Sequence, residues 1–184
     1  MKNSLSTLKF IAIAAAAMSA GQAFAHVSLA EPAALANGGY KAVFNVGHGC
    51  DGAATTALRV QLPAGFSGAR PMPKAGWTVQ VRRAPLAQPV TSHGKTVTDD
   101  VAEITWTAAS PANALPDAYF DEFVLRGSLG DKAGPMWFKV LQTCDSVAVD
   151  WAQVPATGTS TKGLARPAVL LDVIPSEAAG GHQH

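Results

Sequence analysis

Five histidines occur in the 184 residues, at positions 26, 48, 93, 182 and 184, and two of them stand where a metal ion could use them. His26 follows Ala23-Phe24-Ala25, the small-residue pattern at which signal peptidases cut. Cleavage after Ala25 would make His26 the first residue of the mature protein. Its α-amino nitrogen and an imidazole nitrogen could then grip one ion in a chelate ring, and such a tetragonal nitrogen set suits copper(II) best among the common divalent metals. His48 sits in Gly47-His48-Gly49, where flanking glycines leave the ring uncrowded, two residues before Cys50. With His26 it would supply three nitrogens of a square plane; Asp51, close by, is the alternative donor. His93 reads as a solvated loop residue. His182 and His184 lie in a small, polar tail that is either a floppy end or a weak metal binder without fixed geometry.

The residues before His26 read as an export signal. Lys2 and Lys9 precede an apolar run from Phe10 to Met18, which gives residues 1–25 the charged, apolar and small-residue order of a cleaved signal peptide; a tethered N-terminal helix is the alternative. That run is too short to cross a bilayer, and no later segment approaches the roughly 20 apolar residues a spanning helix needs. A periplasmic or secreted protein is expected. Residues 26–175 are of a size for one domain, and residues 176–184 are expected to be disordered. The net charge is only +1, and the two signs are interspersed along the chain, so neither nucleic acid nor an anionic membrane is an expected partner. Cys50 and Cys144 are the only two cysteines; in an exported chain they read as a disulfide, with a thiol metal site as the alternative.

Positioning these residues falls to strands. Tyr40, Ala42, Phe44 and Val46 alternate with Lys41, Val43 and Asn45, the period of two expected of a half-buried strand. Similar runs surround Leu58-Val60-Leu62, Trp77-Val79-Val81, Val101-Ile104-Trp106, Tyr119 to Arg126, and Met136-Phe138-Val140. Val27 to Pro32 forms a short edge strand stopped by proline. Cys144-Asp145-Ser146 turns the Met136 strand into a hairpin partner at Val147-Val149-Trp151, and a weaker strand covers Val169 to Ile174. Residues 47–52, 85–95 and 110–116 read as loops. The sum is an all-β sandwich of immunoglobulin or cupredoxin type, with about eight or nine strands and no helical periodicity.

The order of motifs resembles the YcnI-type copper-binding domain family, long classed as a domain of unknown function. The resemblance is carried by His26-Val27-Ser28, Phe44-Asn45-Val46, Thr55-Thr56, Trp137-Phe138-Lys139-Val140-Leu141-Gln142-Thr143 and Val149-Asp150-Trp151. It implies a β-sandwich holding copper(II) in a mononuclear histidine brace at the mature N-terminus, with a loop carboxylate assisting and a tryptophan beside the metal. His26 matches the brace. The loop glutamate is unmatched: aligning Val46 to Thr55 without a gap puts Gly49 in its place. His48 or Asp51 would then complete the site, His48 preferred because imidazole is the better copper(II) donor. The tryptophan falls on Trp151, with Trp137 second. Trp137 precedes Cys144 by seven residues, roughly 23 Å along an extended strand, which sets it far from a Cys50–Cys144 bridge.

The leading functional expectation is an exported copper(II) protein of periplasmic copper trafficking, storage or detoxification, not an enzyme, partnered by copper and by another periplasmic or membrane copper protein. Alternatives are a copper oxidase resembling lytic polysaccharide monooxygenases, for which no exposed aromatic platform is evident in the sequence, and a metal-free adhesion or assembly module. A serine hydrolase is set aside because no Gly-x-Ser-x-Gly elbow occurs.

Overall fold

The structure, a computed structural model, describes residues 26–176 except 93 and 146; residues 1–25, expected as a signal peptide, His93, and residues 177–184 with His182 and His184 lie outside the described residues. Eleven strands follow in chain order: β1 (Ser28–Leu29), β2 (Ala33–Leu35), β3 (Gly39–Val46), β4 (Thr55–Gln61), β5 (Phe66–Pro71), β6 (Trp77–Ser92), β7 (Lys95–Ala108), β8 (Asp121–Leu129), β9 (Gly134–Cys144), β10 (Val147–Trp151) and β11 (Val169–Ile174). A 3-10 turn at Pro111–Asn113 is the sole helical segment among the described residues.

The strands form two sheets, one ordered β1-β3-β8-β5 and the other β2-β11-β9-β4-β7-β6, with β10 also pairing β9. The alternation read from the sequence decides which faces meet. Tyr40, Ala42, Phe44 and Val46 on β3 pack toward Leu58, Val60, Phe138 and Val140 of the other sheet, and all are buried in one cluster. Edge-to-face aromatic pairs tie the sheets together, Phe44 on Phe138 at 5.5 Å and Phe66 on Phe138 at 5.4 Å between ring centres. Such pairs contribute about 0.5–1.5 kcal/mol beyond the area they bury.

Two strands go beyond the expected eight or nine: β2, only three residues long, and β5, which is irregular. In β5, Phe66 and Ala69 are the buried residues, three apart, because the register with β8 shifts between Ser67 and Arg70. That bulge destroys the period of two that identifies a strand in sequence. Of residues 85–95, expected as a surface loop, 85–92 extend β6 and Lys95 opens β7, so the two strands form a hairpin arm; its prolines are tolerated because pairing slips between Pro85 and Val90.

One edge of β9 is shared end to end. β11 pairs with its first half, Val169 opposite Phe138, and β10 with its second, Trp151 opposite Val140. This sharing delivers Trp151 to the pole of the sandwich where β1 begins.

Candidate metal centre

Three strand ends converge at that pole. β1 runs antiparallel to β3, Ser28 opposite Asn45 and Leu29 opposite Phe44. Continuing this register two residues back sets His26 level with Gly47, beside His48. β8 starts at Asp121 opposite Val46, so Tyr119 and Phe120 immediately before it reach the same pole.

The loop between β3 and β4 is held at both ends. Cys50 is bridged to Cys144 across 94 positions, with Cα atoms 5.8 Å apart, as expected from the sequence. Cys50 and Ala53 exchange backbone hydrogen bonds around Asp51 and Gly52, whose φ angles are 50° and 85°. Positive φ at both central residues defines a type I′ turn, for which Asp-Gly is a preferred pair. Asp51 therefore shapes the turn. Its side chain is exposed and makes no hydrogen bond or ion pair among the described residues.

His26 and Trp151 pack edge to face, ring centres 5.3 Å apart and planes at 86°. The Trp151 indole N–H donates to Gln142 Oε1 at 3.2 Å, and Gln142 Nε2 donates to both the His48 carbonyl and Thr55 Oγ1 at 2.8 Å. One buried amide thus fixes the tryptophan against His26 and the backbone of His48 in the same stroke. The His48 Nδ1 lies 2.5 Å from the Gly49 carbonyl oxygen. A carbonyl only accepts, so Nδ1 is the donor, and in the neutral ring Nε2 is the nitrogen whose lone pair an ion would use. Asp117 Oδ1 accepts from Gly49 N at 3.0 Å and stands 3.8 Å from His48 Nδ1.

These contacts set the fit of a copper site. Two imidazoles at neighbouring strand ends, with an α-amino group if the chain starts at His26, suit copper(II). A carboxylate at the family's glutamate position does not fit: a Cβ on Gly49 would come within 1.8 Å of the Ala53 carbonyl oxygen. Among the described residues no three His, Cys, Asp or Glu side chains gather closely enough to hold a metal, so a brace here would depend on the main-chain amine. Trp137 lies elsewhere, opposite Leu170 on β9 and beside Pro63, Gly65 and Met136.

Sequence reasoning passed over two residues. Gln142 had a signal: it extends the inward row Met136, Phe138, Val140 with a polar group. Asp117 had none, since its partner Gly49 is 68 positions away in the chain.

Fold and pole together define an immunoglobulin-like β-sandwich with a histidine–tryptophan cluster at one end. A crystal structure of an uncharacterized protein from Nocardia farcinica, described as revealing an immunoglobulin-like fold, matches with a TM-score of 0.62 and 28% identity over 80% of this chain and 97% of that one. The chain belongs to the family described as a domain of unknown function, DUF1775, whose model matches residues 26–173. No curated protein matches it.

Proposed function

We propose that the protein is exported and binds copper(II) through the α-amino and imidazole nitrogens of His26, with His48 Nε2 as third donor, in copper trafficking, storage or detoxification. The observation that carries this reading is the clamp on His26: its ring rests on Trp151, which Gln142 ties to the backbone of His48. Indole offers an N–H and no good lone pair, and here that N–H is occupied. Trp151 accordingly shields one side of His26 and limits water, while Gln142 keeps the indole from turning. Copper, when bound, would supply a redox-active cation of tetragonal preference. The test is the EPR spectrum of protein beginning at His26 with one equivalent of copper(II), compared with His48→Ala. A changed spectrum supports His48 as ligand; an unchanged one removes it, and absence of stoichiometric uptake defeats the whole reading in favour of a metal-free module.

A copper oxidase is the second reading, and one feature favours it. Tyr119 and Phe120, at the same pole, are 64% and 72% exposed, an aromatic pair of the kind that stacks on sugar rings, which the sequence did not reveal. Reductant and peroxide given to the copper-loaded protein on polysaccharide would release oxidised sugars under this reading and none under the first.

A further inference from the structure

Lys41, Arg126 and Arg70 stand side by side on three neighbouring strands, Lys41 paired with Arg126 and Arg126 with Arg70. Each occupies an outward position, because the adjoining Tyr40, Ala42, Leu125 and Ala69 are buried in the core. With strands about 4.8 Å apart, the three positions span a row of roughly 10 Å. Like charges at opposed positions destabilise a sheet. None of the three cations has an ion-pair partner among the described residues. The carboxylates of the facing hairpin arm are engaged elsewhere: Asp99 with Arg83, and Asp100 with the backbone N–H groups of Gly68 and Val101.

This row is one wall of an open groove of about 1050 Å³, whose other wall is the β6–β7 arm, where Val81, Val90 and Val97 stand with Arg83 and Asp100. The bond from Gly68 N to Asp100 Oδ2, 2.9 Å, ties the arm to β5 and so fixes one wall against the other. The groove therefore has a cationic side and, facing it, a side on which three valines lie between charges already engaged, Arg83 with Asp99 and Asp100 with backbone N–H groups. An extended polypeptide sends successive side chains to opposite sides, so a segment alternating acidic and apolar residues would match both walls at once. Carboxylates also match the guanidinium fork of Arg70 and Arg126. A small inorganic anion or a sulfated sugar would leave the valines bare.

We propose that this groove binds an extended acidic segment of a partner protein, carboxylates on the Lys41–Arg126–Arg70 row and intervening apolar residues on the valine wall. The probe is a fluorescent synthetic peptide alternating Glu with Val or Leu, titrated into the full protein by anisotropy, with pyrophosphate and a sulfated oligosaccharide as rivals. Binding should weaken by about fivefold for each charge removed in Lys41→Gln and Arg126→Gln, and should fall as salt rises. Val90→Ser should weaken it as well. All three positions are exposed, and circular dichroism checks that each variant folds. The proposal is overturned if the peptide does not bind, if binding ignores the charge variants, or if Val90→Ser leaves it unchanged. It is equally overturned if the rivals bind in the peptide's place.

Discussion

Thr55 and Gln142 are the two buried polar side chains among the described residues, and they are hydrogen-bonded to each other. In Gln142→Met the volume is nearly kept, but the Trp151 N–H and the His48 carbonyl lose their partner. Stranding a buried polar group costs about 1–3 kcal/mol, so the variant should lose roughly 2–4 kcal/mol in urea unfolding and free the indole beside His26. A second residue reports on the opposite flank. Tyr40 is buried and donates its hydroxyl to the Glu31 carbonyl at 2.5 Å. Burial first, and the Glu31 charge second, push its pKa from 10.0 up to about 12. The fold thus favours the protonated phenol, so this contribution is fully present below pH 10 and fades as pH rises toward about 12. Tyr40→Phe should flatten the alkaline loss of stability across that window; an identical slope in both proteins would refute the assignment. At this scale the cysteine pair was legible as a disulfide from its number and setting; His26 was singled out by its place after the cleavage pattern and Trp151 by the family resemblance, and the two rings are in contact. Gln142 was visible only as a flaw in an apolar row, and Asp117 acts through a contact no local pattern encodes.

Loop 47–53 is the element on which the pole depends. Gly47 and Gly49 look equivalent in sequence, yet nothing lies within 4 Å of a Cβ at Gly47, whereas one at Gly49 meets the Ala53 carbonyl at 1.8 Å. Gly49→Ala should therefore destabilise by about 1–3 kcal/mol, as overpacking does, while Gly47→Ala stays near neutral. Thermal melts of the two variants side by side decide the point. Removing the disulfide tests the other anchor of the same loop. Closing 94 positions constrains the unfolded chain by about 4–5 kcal/mol in the chain-entropy model, an upper figure for what Cys50→Ser with Cys144→Ser should lose. Strand alternation made β9 and β11 legible, since each buries one clean face, and β3 as well, although Val43 on its other face is also buried. It failed for β5, where the bulge at Ser67–Arg70 breaks the period, and for the β6–β7 arm, whose prolines imitate a loop.

Over the whole molecule, charge and chain start act in ways that composition hides. A net charge of +1 with signs interspersed along the chain gave no sign of a basic stripe, but antiparallel pairing brings positions 41, 70 and 126 into one row. The copper reading likewise depends on a property of the entire chain, namely where it begins. The described side chains alone do not assemble a three-ligand group, so the decisive donor would be the main-chain nitrogen of His26. An extra alanine placed before His26 leaves every strand and the Trp151 contact intact while turning that nitrogen into an amide. Copper that binds only the folded protein raises its stability by about 2.7 kcal/mol at a hundredfold excess over Kd. The chain starting at His26 should show such a rise in melting temperature with copper(II), and the extended chain should lose it with its metal-free melting unchanged. Binding should also weaken as pH falls below about 7.7–8.0, where the amine holds its proton. Equal copper stabilisation of both chains would place the metal elsewhere on the molecule.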